Sequence, residues 1–178
     1  PSMNGYTSVN AAITVGGLKK SLAAQAPLGA FLDLSILAAA PARMIRSGLG
    51  DSLCRPTAQF DWLLSHHLRG TSYSATPFAI QAADEAHMFE RAAGLMRGDL
   101  DAMESLARVL VLCGFGMCIA GSSAPASQAE HLVSHYVDMM APGASQAALG
   151  RDALHGEQIG VATLTVARLQ QRLLDANR

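Results

Sequence analysis

Residues 99–121 read DLDAMESLARVLVLCGFGMCIAG, and this stretch decides the fold. Asp99 is a residue type that accepts hydrogen bonds from the amides opening a helix. Met103, Leu106, Leu110, Cys113 and Met117 then recur at intervals of three and four, which places them on one helical face. Gly114 and Gly116 sit inside that pattern, so they read as points of close helix packing. Their spacing is wrong for a nucleotide-binding loop, and no strand precedes them. The prediction is a helix with one apolar face, one of about five or six in a bundle.

The segments on either side extend the pattern. Upstream, Pro41 suits a helix start, and Leu49-Gly50-Asp51-Ser52 reads as a break, with Asp51 or Ser52 capping a helix to about His67. Arg69-Gly70-Thr71-Ser72 closes that helix, and another is expected from Pro77 to about Arg97, ended by Gly98. Downstream, helices are expected from about Pro125 to Met140 and from about His155 to Leu174, with a loop rich in glycine and alanine between them. The first forty residues differ. Ile13 to Val15, Gly16-Gly17 and Leu18 to Leu22 predict a short β-hairpin, and Ala30-Phe31-Leu32-Asp33-Leu34 predicts a buried strand. The fold class expected is mainly α: a helical bundle at residues 41–178, preceded at 1–40 by a few residual strands of another domain.

Composition narrows the partners. Half of the 178 residues are apolar and 15% are charged, which excludes a disordered tail. Lys plus Arg is 13 against 14 for Asp plus Glu, so no basic surface is offered to nucleic acid or to an anionic membrane. A small-molecule substrate is the expected partner. Cys54, Cys113 and Cys118 form no CxxC pair, which argues for a reducing, cytoplasmic setting. No uninterrupted run of about twenty apolar residues is read as a bilayer span, since Glu104 and Arg108 interrupt residues 104–120.

Chemistry is expected at three points. His131 and His135 stand four apart on a predicted helix and share a face. His155 opens the last helix, and Asp51 stands at the predicted break. One carboxylate and two imidazoles around an open position suit zinc or ferrous iron. From spacing alone, a capped or half-buried helix face is the commoner explanation of such a pair. His66 and His67 are adjacent and point about 100° apart, so they cannot share one site.

Three strings, taken together, carry more. They are Arg43-Met-Ile-Arg-Ser-Gly-Leu-Gly-Asp51, Gly121-Ser-Ser-Ala-Pro-Ala-Ser-Gln-Ala-Glu-His131-Leu-Val-Ser-His135 and His155-Gly-Glu-Gln-Ile-Gly160. In that order they closely resemble signature blocks of the glycerol-1-phosphate dehydrogenase branch of the iron-containing alcohol dehydrogenases, within the dehydroquinate synthase-like superfamily. The resemblance runs from about Pro1 to about Arg168. It implies a C-terminal metal-binding half, with Asp51, His131 and His155 holding one divalent metal, zinc before iron. It also implies that residues 1–40 are the end of a Rossmann-like domain that binds NAD(P), whose glycine-rich segment has no match here. His135 is then expected to relay a proton, and Asn4 and Arg55 to touch substrate. Asn4 stands where the family has Asp, Arg55 where it has Lys, and Ala124 where it often has Arg. These departures leave the substrate open between a polyol and its phosphate. The function expected is a metal-dependent NAD(P)-linked oxidoreductase, present as its metal-binding part and forming a homo-oligomer. The alternatives are a non-catalytic metal-binding interaction module and, behind it, a metal-dependent lyase.

Overall fold

The computed structural model describes residues 7, 9–16, 18–141 and 143–176. Asn4 lies outside them. The protein is mainly α-helical. Asp99 opens a helix as expected: its Oδ1 accepts from the amides of Asp101 and Ala102 at 2.9 and 3.2 Å. Helix α6 then runs Leu100–Ala120 and stops at Gly121, whose φ of 64° is the left-handed conformation glycine tolerates. Every residue of the predicted stripe, Met103, Leu106, Leu110, Cys113 and Met117, is buried. By length and composition α6 is apolar enough to cross a membrane, which corrects the expectation that no such run exists. Most of it is buried inside the bundle, as in a core helix.

Before α6 come α1 (Leu34–Ala38), α2 (Ala42–Ser52), α3 (Arg55–Arg69), α4 (Thr76–Ala79) and α5 (Ala82–Arg91), then a 3-10 turn, Ala92–Arg97. After it come α7 (Ala129–Met140), α8 (Ala144–Leu149) and α9 (His155–Asp175). The main core joins Ile45 of α2, Met88 of α5, Leu95 and the α6 residues Met103, Leu106 and Leu110. A smaller cluster of Cys113, Met117 and Ala126 continues it toward α7.

Among the described residues the only sheet is a hairpin of β1 (Asn10–Val15) and β2 (Leu18–Ala23), antiparallel with Val15 opposite Leu18. Gly16 takes its turn with φ of 57°, as predicted. The strand expected at Ala30–Leu34 is not formed. Asp33 instead caps α1 through Ser35 and Ile36 amides, and Phe31 is 99% exposed, so no second sheet face buries this run.

Two other expectations need correction. The helix expected over 77–97 breaks at Gln81, whose buried side-chain amide donates to the Pro77 carbonyl at 2.7 Å. This turn seats Pro77 against Gly116 of α6, where a Cβ would lie 3.1 Å from the proline ring. Gly116 is thus the packing point that its sequence context suggested. The loop expected between the last two helices holds α8, a helix too short for its pattern to stand out.

Candidate metal centre

Asp51 does not cap a helix. It lies in the last turn of α2, 3% exposed, because α2 continues through Gly50 to Ser52. The glycine that looked like a helix break is a contact surface. A Cβ on Gly50 would lie 2.3 Å from the Gly156 carbonyl oxygen, and one on Gly156 would lie 1.8 Å from that of Ser47. Helices α2 and α9 therefore cross backbone to backbone. Asp51 follows one of these glycines and His155 precedes the other, so the crossing sets them side by side.

His131 arrives from α7, which packs against α9 and α3. Its Nε2 lies 3.7 Å from Asp51 Oδ1, and His155 Nε2 lies at the same distance from that oxygen. One ligand atom from each of Asp51, His131 and His155 falls within 4.8 Å of the others. Donors about 2.1 Å from a tetrahedral ion stand roughly 3.4 Å apart, so this set can close on a single cation with small side-chain movements. One carboxylate oxygen and two imidazole nitrogens suit zinc or ferrous iron. The donor set fits a divalent metal. His131 is buried and His155 is more open, with 39% of its side chain exposed, which leaves one side of the cluster accessible.

Glu130, which the sequence reading did not single out, stands behind His131. Its Oε1 is 3.0 Å from His131 Nδ1 and accepts from the Gln128 amide at 2.8 Å. Burial opposes its charge, but the hydrogen bonds from His131 and from the backbone outweigh it and hold the carboxyl below its ordinary value. An ionised Glu130 accepts the proton of Nδ1, so a neutral His131 presents its Nε2 lone pair on the side of Asp51. That is the tautomer a metal ligand needs. Adjacent positions on a helix point about 100° apart, so a search for shared faces passes over Glu130. A second group, Cys54, Glu130 and His131, is also close enough to hold a cation. Its thiol donates to backbone carbonyls of Asp51 and Ala126 and is pushed well up by burial, which fits a packed thiol better than a ligand.

The remaining candidates divide. The ring of half-buried His135 lies 6.4 Å from that of His131 and 6.3 Å from that of His155, at the edge of the cluster. Arg55 is 2% exposed; its Nη2 pairs with Glu85 at 3.1 Å and its guanidinium stacks over Phe78 at 5.4 Å. It lines a cleft of about 540 Å³ with Gln59, Phe78 and Phe89, and that cleft includes none of the three metal candidates.

Comparison with known proteins agrees with the motif reading. Residues 1–41 match the model of a family described as iron-containing alcohol dehydrogenase. The chain is 38% identical over 169 residues to the glycerol-1-phosphate dehydrogenase [NAD(P)+] of Pyrococcus furiosus, covering 94% of this chain and 46% of that protein. It is 37% identical over 171 residues to the protein so named from Hyperthermus butylicus, covering 95% and 46%. The one from Haloquadratum walsbyi is 36% identical over 168 residues, covering 94% and 46%. The chain spans about half the length of the relatives it matches. Its similarity is to the iron-containing alcohol dehydrogenases and, within them, to the proteins named glycerol-1-phosphate dehydrogenase.

Proposed function

We propose that this chain is the metal- and substrate-binding part of an NAD(P)-linked dehydrogenase acting on a small polyol or polyol phosphate. The observation that carries this reading is the convergence of Asp51, His131 and His155 from three helices, with Glu130 fixing the His131 tautomer. In this reading residues 41–178 are the metal-binding domain and 1–40 the tail of a nucleotide-binding one.

A divalent metal, when bound, supplies Lewis acidity that polarises a carbonyl or stabilises an alkoxide. The chain's own residues do the rest. Asp51, His131 and His155 hold the cation, and the open side at His155 admits the substrate oxygen. His135, at the rim, can hold the proton that an alcohol gives up; its rival role is to support the cluster. Arg55 keeps the charge a phosphate would need, but its ion pair with Glu85 must open first. A cytoplasmic setting and a homo-oligomer complete the proposal.

The test is metal content, followed by nicotinamide absorbance with a polyol and its phosphate in a protein that carries both halves. One equivalent of zinc or iron, lost in Asp51→Ala and His131→Ala, with turnover lost alongside, supports the dehydrogenase. Metal binding without turnover favours the interaction module. The exposed α7 residues Leu132, Tyr136 and Met140 would give such a module an apolar face.

A further inference from the structure

His155 is the first residue of α9, so its ring can stand only where the first turn of α9 stands. The glycine crossing brings α2 and α9 together backbone to backbone, with no side chain to interlock as ridge and groove at Gly50 and Gly156 themselves. Two adjacent residues of α9 reach side chains on the neighbouring helices. Glu157 accepts a fork from Arg43 of α2, Nε to Oε1 and Nη2 to Oε2, both at 2.7 Å. It also accepts the Leu154 amide at 2.9 Å, so the same carboxylate ties off the helix start. Arg43 donates in addition to the Asp152 carbonyl, which binds the preceding loop to α2. Gln158 faces α7, accepting from Ser134 Oγ at 2.6 Å and donating to Asp138 Oδ1 at 2.8 Å.

The two helices so engaged are the ones that carry Asp51 and His131. We propose that Glu157 and Gln158 are a pair of positioning residues that preorganise the metal centre by fixing the rotation of α9 against α2 and α7. The inference rests on the metal reading above and deepens it. It differs from a general stabilising role in what it requires. The Arg43–Glu157 pair is partly exposed, with 32% and 26% of the side chains accessible, which keeps its contribution to global stability modest even as a fork. Its loss should loosen the site more than the fold.

The experiment uses cobalt(II) as the probe on the full chain, with affinity measured against a chromophoric chelator and geometry followed by the visible absorption of the bound ion. Helical content and metal-free melting temperature are recorded for each variant. Glu157→Gln and Gln158→Met should each weaken cobalt binding at least tenfold and alter the shape of the absorption band, with metal-free melting close to that of the native chain. Residues that support metal ligands typically show losses of about 10–100-fold. Arg43→Lys keeps the charge but not the fork, and should fall between native and Glu157→Gln. Unchanged affinity and band shape overturn the proposal. So does loss of affinity that merely tracks loss of helical content across all three variants. A native chain that binds no cobalt overturns the metal reading itself, a result distinguishable from the others.

Discussion

The carbonyl oxygen of Ser47 occupies the space that a side chain on Gly156 would need: a Cβ there would lie 1.8 Å away. Neither group can yield cheaply, since one is the backbone of α2 and the other the backbone of α9. Gly156→Ala should therefore push the helices apart, separating His155 from Asp51. The expected cost is about 3 kcal/mol or more, at the upper end of overpacking changes, with metal binding lost. Gly160 provides the control. A Cβ there would lie 3.3 Å from Gly50 Cα, a small misfit. Replacing helical Gly by Ala gains about 1 kcal/mol of propensity. Gly160→Ala should thus melt within a few degrees of native and keep its metal. Equal effects at the two positions, read by thermal melting and metal content, would refute this account of the crossing.

Glu130 reaches the proposed metal site through its contact with His131. Glu130→Gln keeps the size of the side chain but can present its amide group to Nδ1, which favours the opposite imidazole tautomer. Metal affinity should drop about 10–100-fold, while Asp51 and His155 keep their places. A chelator competition that returns the native affinity would remove Glu130 from the site.

Part of this arrangement is legible in the spacing of the residues. The α6 stripe was legible because three-and-four spacing over a long segment has a single explanation, a helix with one buried face. The histidines were legible as a pair because i and i+4 positions face the same way. Asp51 stands in the last turn of α2 and caps no helix. Local propensity marks Gly50 as a helix break, whereas tertiary contact with Gly156 uses its missing side chain. The Ala30–Leu34 run failed for a related reason: an apolar string does not record whether anything stands ready to cover it, and Asp33 prefers to cap α1. Glu157 and Gln158 could not be assigned partners from sequence, since Arg43 and Ser134 lie 114 and 24 residues away.

The Asp99 cap offers a clean separation of fold from site. Asp99→Ala leaves the Asp101 and Ala102 amides without their acceptor and should cost about 1 kcal/mol. Because Asp99 touches nothing in the metal cluster, metal affinity should stay native. A denaturant titration together with a cobalt titration checks both halves. A variant weakened in metal binding would mean that α6 is coupled to the site more tightly than its contacts suggest.

The Arg55–Glu85 pair makes the stability of the protein depend on pH in a defined direction. Burial pushes the Glu85 carboxyl above its ordinary value of 4.5, and the nearby Arg55 charge only partly offsets this. The folded chain therefore binds this proton more tightly than the unfolded chain does. The resulting stability is fully present below pH 4.5 and is lost as pH rises through the elevated value in the folded state. Glu85→Gln removes that dependence, and its neutral amide resembles the protonated carboxyl, so it should melt close to native near pH 4.5 and above native at pH 7. Arg55 Nε and Nη1 have no hydrogen-bond partner among the described residues. Lowering the pH from 7 toward 4.5 should therefore raise the melting temperature of the native chain relative to that of Glu85→Gln. A native chain that melts above Glu85→Gln at pH 7 and loses that lead as pH falls would show that attraction to Arg55, and not burial, governs this carboxyl.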